Sequence, residues 1–494
     1  MNSPHKTKPW YSRFHLEIKE KKKSYFIKDP IHNEINFDRS RRWLYQLVNT
    51  PEMQRLSKIL QLSLSYNNFP TATHTRLSHC LGVYQVAANF IDEWIRKGCL
   101  QPDKDRVAIN VALAAALLHD VGHGPHSHAF EEYMHFSHEA YATQILSSPE
   151  TRVHQILVNQ ALKDKIDPLY YVQKVAQIIT KQNKAPELNW VQDLISSQID
   201  ADRLDYLLRD SHFSGLSYGS RNIHLLIKWS VIVRAEQLDL INYPAQAKYV
   251  NKIAFYDKAN HLITNFLINR YTMYAELYAN IYSVTYELLI GKIIDYFRQN
   301  YHQIRQDPQL QTYHFLYDLI QPYLQPETAK QFDYAKFIKL TDQSFDLILE
   351  SFCEAADPVL ASLANLLKGN ISLTQHQFLA LSLEEYQQLQ TSFQILQTQN
   401  PEITYTDQLI LPQHQQQWRP VIYDKENPIL NYNNETSQVV AYDSFLDQTP
   451  LDLEKLLTFN PTSKKYTVIV IQKKLWSKIQ AINKKEANPL WPNT

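Results

Sequence analysis

The chain has 494 residues, 44% hydrophobic and 20% charged, a composition that buries a sizeable core and, at roughly 100 to 200 residues per domain, exceeds one small module. Fifty Lys plus Arg balance fifty Asp plus Glu, which excludes a global positive field for holding nucleic acid or an anionic membrane. The longest near-continuous apolar run, Val111 to Leu118, is far short of the roughly 20 residues of a membrane helix, the first residues are polar, and Cys80, Cys99 and Cys353 form no CxxC pair. A cytoplasmic protein with no membrane segment, disulfide framework or thiolate zinc site is expected.

Residues 1–25 read as a polar N-terminal arm, with Lys19 and Lys21 to Lys23 solvated. From Arg42 the apolar spacing is helical, through Leu44, Leu47 and Val48 and then, behind Pro51, Met53, Leu56, Ile59 and Leu60. Thr75 to Ile95 predicts a helix with His79, Val83, Val86, Ala87 and Phe90 on one stripe, and Arg106 to His119 predicts a helix buried on most sides. Helical spacing continues through Ile178 to Leu208 and Ile253 to Phe297. After about Leu383, Ile403 to Leu411, Val421 to Tyr423, Val439 to Tyr442 and Tyr466 to Ile471 read as short strands. The fold expected is mostly α: a helical core over 26–290, a helical extension over 291–383 and a smaller mixed α/β domain over 384–494.

Six of the nineteen histidines (His119, His123, His126, His128, His135 and His138) crowd into the twenty residues from His119, around the run HDVGHGPHSHAF. Neighbouring helical side chains diverge by about 100°, so His119 and Asp120 reach one metal only where the helix ends. Val121-Gly122 and Gly124-Pro125 end it directly after Asp120. His79 lies on the apolar stripe of its helix, and Asp202 shares a face with Ile195 and Ile199, so both need a partner on a buried surface. Taken singly, each is more often a satisfied core histidine or a helix cap; the weight comes from the pattern. Two imidazoles and two carboxylates suit Mn, Fe, Ni, Zn or Mg, with positions left for water and a phosphate oxygen. No GxGxxG or Walker loop is present, so phosphate falls to side chains. Hydrolysis of a phosphate ester is the chemistry this pattern suggests.

These segments resemble the HD-domain phosphohydrolases, and specifically the deoxynucleoside triphosphate triphosphohydrolases, which include bacterial dGTPase-like enzymes and the vertebrate SAM-and-HD-domain enzyme. The resemblance is carried by DPIHNEI, TPEMQRLSKILQL, HTRLSHCLGVY with LLHDVGHGPHSHAFE, and QIDADRLDYLLRD followed by NRYTMYAELY, over about residues 26 to 282. It implies an HD-domain helical core and one divalent metal ion per site, held by His79, His119, Asp120 and Asp202. It implies that Arg76, His123, His128 and His138 surround the scissile α-phosphate, with Glu131 paired to His128 as a proton-handling dyad. Arg203, Arg270 and Tyr278 match phosphate-tail contacts, Gln61 and Leu62 base and sugar contacts, and Tyr206 and Asp210 the groups that read the deoxyribose.

The implied reaction converts a deoxynucleoside triphosphate to a deoxynucleoside and inorganic triphosphate. The implied assembly is a homo-oligomer, a tetramer, with nucleotides, an activator among them, at subunit interfaces. Asn280 stands where many members have histidine, and Arg203 where several have lysine. Asn49 and Ser57 replace the acidic and basic residues that bind a guanine nucleotide in the vertebrate form, which disfavours activation by GTP there. The alternatives are another HD nucleotidase or phosphodiesterase, and a nucleotide-sensing HD protein without turnover.

Overall fold

The structure is a computed structural model that describes residues 24–218, 222–325, 332–369, 376–400, 408–410, 423–424, 426–446 and 467–485. Residues 1–23 of the expected polar arm lie outside the described residues. The described chain is mostly helical. Its first element is a hairpin, β1 (Tyr25–Asp29) and β2 (Asn33–Phe37), paired antiparallel with Asp29 opposite Asn33. Asp29 Oδ1 accepts the Ile31 and His32 backbone N–H groups at 2.9 Å each, and Asn33 takes φ 62 to close the turn. This turn aims His32 inward.

The helices that carry the site are α1 (Arg76–Arg96), α2 (Arg106–Leu118), α3 (His128–Tyr133), α4 (His138–Ser147) and α5 (Ala201–Ser214), followed by α6 (Asn260–Met273) and α7 (Asp342–Ser351). Thr75 caps α1 by accepting the Ser78 N–H, and Asp200 caps α5 by accepting the Arg203 N–H at 2.7 Å. Gly215, at φ 78, ends α5 in the left-handed conformation that a side chain would resist. Helix α2 packs on α1 and on Pro168–Ile179, and Val111 to Leu118 are all buried, which is why the stretch reads as apolar all round.

Ile253 to Phe297, expected to be helical throughout, opens with a strand. The described strands are completed by β3 (Ser230–Ile232), β4 (Ile253–Tyr256), β5 (His376–Leu381), β6 (Gln408–Ile410), β7 (Leu430–Asn433), β8 (Gln438–Ala441) and β9 (Thr467–Gln472). A short apolar run buried on both faces carries no period to separate strand from helix, which is how β4 escapes a spacing argument. The same ambiguity conceals β5, in a stretch read as helical.

Two expected strands, at Val439 and Tyr466, are found as β8 and β9 with slightly shifted ends, and β6 falls inside Ile403 to Leu411. Tyr423 is in a bend rather than a strand, and residues 421–422 lie outside the described residues. These strands divide between two sheets, ordered β3-β4-β7-β8, with β4 and β7 parallel, and β5-β9-β6. Tyr423, Leu430, Tyr432, Val439 and Tyr442 join the main core, and Gln198 ties α5's approach to this segment by donating to the Asp424 and Asn427 carbonyls. Leu381, Leu389, Phe393, Ile471 and Trp476 form a second, small core. Among the described residues no helix is long and apolar enough to cross a membrane.

Candidate active site

His79, His119 and Asp120 bring ligand-type atoms together where α1, the end of α2 and the start of α5 converge, and Asp202 reaches both imidazoles. His79 Nε2 lies 3.3 Å from His119 Nε2 and 3.0 Å from Asp202 Oδ1, while His119 Nε2 lies 3.4 Å from Asp120 Oδ1 and 3.7 Å from Asp202 Oδ1. Helix α2 ends at Leu118, so His119 and Asp120 sit in a turn and can face one point. The other nitrogen of each ring is already committed. His119 Nδ1 is 3.0 Å from the Ala116 carbonyl and His79 Nδ1 is 2.8 Å from Asp205 Oδ2. A carbonyl or carboxylate oxygen only accepts, so each Nδ1 carries a hydrogen, which leaves Nε2 as the atom of each ring that can give a lone pair to an ion.

The two Nε2 atoms and the carboxylates of Asp120 and Asp202 therefore crowd one spot, an arrangement that positive charge stabilises, whether a proton on His79 or an ion. Donors bound to an ion at about 2.1 Å on adjacent positions lie about 3 Å apart, close to the spacings found here. The donor set fits a divalent ion. Burial works against a charged His79, but hydrogen bonds to Asp202 and Asp205 outweigh it and push the ring up to about 10. The cleft draws a cation.

A buried layer behind the donors was not legible as a site. Asp205 receives His79 Nδ1 on one oxygen and His32 Nε2 at 2.6 Å on the other, and Arg209 donates to it from Nε and Nη2 at 2.9 and 3.0 Å. Arg209 also donates to Asp29 Oδ2 at 2.9 Å. Burial favours a protonated Asp205, but Arg209, His32 and His79 outweigh it and hold its carboxyl well below the usual range. A Cβ at Gly82 would lie 1.9 Å from Asp205 Oδ1, so only glycine lets α1 and α5 approach this closely. The available signal was spacing: Asp202, Asp205 and Arg209 stand at i, i+3 and i+7 on one face, and His32 lies within DPIHNEI.

Partners of this kind fix the tautomer and orientation of a ligating ring, and their loss costs about 10- to 100-fold in metal affinity. Asp205→Asn is accordingly expected to weaken ion binding by that factor while the chain stays folded. Unchanged affinity in a metal titration would refute the assignment.

Beside the four donors lies a second cluster. Arg76 donates from Nη1 to Asp120 Oδ2 and from Nε to Ser127 Oγ at 2.7 Å. His123 Nε2 is 3.2 Å from Asp120 Oδ1, and its ring stacks on His138 with centroids 4.1 Å apart and planes at 8°. Burial and the neighbouring Arg76 charge push His123 well below its ordinary value, which keeps the ring neutral. Glu131 accepts His138 Nδ1 at 2.7 Å and the His138 backbone N–H at 3.1 Å. His128, the expected partner of Glu131, is 3.7 Å away with its side chain 75% exposed. Glu131 therefore faces both rings: the expected contact with His128 stands at the solvent edge where α3 opens, and α4 brings His138 closer over the same carboxylate.

A Cβ at Gly122 would lie 2.0 Å from the His138 carbonyl, so α4's approach needs glycine at that turn. His123, Glu131 and His138 also bring ligand-type atoms together. Parallel stacked rings have lone pairs that do not converge, and the group is better arranged to move a proton than to hold a second ion.

The residues matched to substrate contacts flank this centre. Tyr206 stands 6.5 Å from His79 and 6.0 Å from Tyr278, ring to ring. A π-helical turn, Tyr274–Tyr278, follows α6 and ends on Tyr278, whose hydroxyl donates to Asp210 Oδ2 at 2.6 Å. His74 Nε2 lies 2.8 Å from the other Asp210 oxygen, so Asp210 is buried with both oxygens engaged and acts on its surroundings through Tyr278. Gln61 donates its backbone N–H to the His74 carbonyl at 3.0 Å, and Leu62 is half-buried beside it. Arg203 Nη1 pairs with Asp200 at 2.5 Å. Arg203 and Arg270 line one cavity of about 1390 Å³ between β4 and Tyr423–Leu430, and each has a buried Nε without a partner among the described residues.

Comparison with known proteins gives an HD domain family model matching residues 76–210. An uncharacterised protein of Mycoplasma genitalium is 33% identical over 355 residues, spanning 68% of this chain and 75% of that protein. The deoxynucleoside triphosphate triphosphohydrolase SAMHD1 of Gallus gallus is 26% identical over 231 residues, 42% of this chain and 36% of that protein. The crystal structure of a phosphohydrolase from Bacteroides thetaiotaomicron has a TM-score of 0.65 at 23% identity, over 91% of this chain and 100% of that one, a likeness of fold.

Proposed function

The chain belongs to the HD-domain phosphohydrolase family, and on that premise we propose that it hydrolyses deoxynucleoside triphosphates to a deoxynucleoside and inorganic triphosphate. The observation that supports the reading is the meeting of His79, His119 and Asp120, with Asp202 against both imidazoles, beside the cluster of Arg76, His123, His138 and Glu131. A divalent ion held by those four residues would supply Lewis acidity toward a phosphate oxygen and acidify a water.

The remaining work falls to the chain. Arg76, anchored by Asp120 and Ser127, offers its fixed positive charge where negative charge develops on phosphorus, and neutral His123 offers a hydrogen-bonding edge beside it. His138, whose Nδ1–H is held by Glu131, keeps Nε2 for exchanging a proton with the leaving 5′ oxygen, and His128 stands at the open side of the same carboxylate. Arg203, Arg270 and Tyr278 grip the phosphate tail, and Gln61 and Leu62 meet base and sugar.

Tyr206 packs against C2′, with Asp210 holding Tyr278 in place behind it. A ring there leaves a ribose hydroxyl neither room nor a polar partner, so ribonucleotides should be slower by about 10- to 200-fold in kcat/KM. Hydrolysis of ATP as fast as dATP would refute the sugar reading.

The overall proposal is tested by incubating metal-replete protein with each dNTP, alone and in mixtures, and resolving the products. Inorganic triphosphate is expected; orthophosphate or pyrophosphate would point to a different hydrolysis within the family. The homo-oligomer, expected as a tetramer, belongs to the same proposal and is read by light scattering.

A further inference from the structure

Helix α7 lies outside residues 76–210, yet its first turn reaches between two loops of the site. Asp342 is buried, and its two oxygens accept two backbone N–H groups far apart in the chain: Leu60 at 2.7 Å and His126 at 2.8 Å. Leu60 directly precedes Gln61 and Leu62. His126 lies between His123 and His128, in a stretch where His126 and Ser127 take φ 48 and 55, an uncommon conformation for side-chain-bearing residues.

Other contacts tie the same two loops to this helix and to each other. Asp346, one turn along α7, pairs with His126 Nε2 at 2.8 Å. Arg55 donates to the Leu340 carbonyl just before the helix at 2.8 Å and, from its other nitrogen, to the His123 carbonyl. Ser127 Oγ donates to the Leu60 carbonyl at 3.3 Å while accepting from Arg76. Asp342 is the one carboxylate among these groups that holds a backbone amide of each loop.

We infer that Asp342 is a positioning residue: its carboxylate sets the spacing between the loop carrying Gln61 and Leu62 and the loop carrying His123 and His128. The inference rests on the hydrolytic role proposed for that site. Displacing reacting groups by about 1 Å can cost on the order of 10²-fold in rate. A carboxylate at a helix start also stabilises the helix itself, so the test must separate the two effects.

Thr341 provides that control, because it caps the same helix by accepting the Ser344 N–H at 3.4 Å and touches neither loop through that bond. In full-length, metal-replete protein, Asp342→Ala and Thr341→Ala should both lower the melting temperature. Only Asp342→Ala should speed amide exchange at Leu60 and His126 and lower kcat on a dNTP by about 10²-fold with metal content unchanged. Asp342→Asn, which keeps the shape and one acceptor oxygen, should recover part of the rate and carries the test if the alanine variant does not fold.

An equal loss of rate in Thr341→Ala, or protected Leu60 and His126 amides in the Asp342 variants, overturns the inference. Wild-type protein without dNTP turnover would defeat the functional reading instead, and the exchange comparison would still decide whether Asp342 holds the two loops.

Discussion

Asp202→Ala is expected to lose the bound ion and to lower turnover by at least about 10²- to 10³-fold, the scale of removing one charge-stabilising group from an active site. In the proposed site Asp202 would supply one of two anionic donors, with Oδ1 3.0 Å from His79 Nε2 and 3.7 Å from His119 Nε2. Its side chain is 31% exposed, so truncation removes little packing and the helices should stay folded. The control is therefore built in: helix content by circular dichroism stays at the wild-type value while elemental analysis shows the ion gone. Full occupancy in the variant would remove Asp202 from the donor set. Uptake also carries a proton signature. His79 is pushed up to about 10 without an ion, so binding at pH 7 displaces its proton and apparent affinity should rise with pH, which calorimetry in buffers of different ionisation heat can read.

Glu131→Gln is expected to keep the ion and lower the single-turnover rate by about 10² to 10⁴, the usual worth of general acid–base work. The amide preserves shape but removes the charge that faces His138 at 2.7 Å and His128 at 3.7 Å. His138 and His128 can then be ranked. Should His138 move the proton, His138→Ala reproduces the Glu131→Gln loss and His128→Ala costs less; the reverse order would give the role to the His128 pairing expected from spacing. A packing role for His128 predicts a large fall in melting temperature, whereas its 75% exposed side chain leaves little to lose. Near-wild-type chemistry in Glu131→Gln would rule out both pairings.

Glu131 marks how far a sequence argument reaches. Three-residue spacing puts His128 and Glu131 on one face of a helix, which is correct as local geometry. It carries no information about a residue seven positions on, delivered by the next helix over a turn that Gly122 allows to approach. Asp210 follows the same logic: its position near Tyr206 was readable, but the burial of both oxygens by His74 and Tyr278 was not.

What the chain determined by itself is what depends on neighbours in sequence. Helical class follows from apolar period, the end of α2 at the His119-Asp120 turn follows from Val121-Gly122, and His79 on the apolar stripe of α1 is a group that needs a partner; the shared face expected for Asp202 with Ile195 and Ile199 is not found, because Ile195 ends one helix and α5 begins at Ala201. Tertiary structure alone decided the rest: that Asp205, Arg209, Asp29 and His32 form one buried network, that β4 takes β7 as its parallel neighbour, and that Asp342, more than two hundred residues from either, joins Leu60 to His126. The reason is physical. A buried polar group must find a partner, but which partner it finds depends on side-chain direction and on how closely two backbones approach, and neither is written in residue spacing.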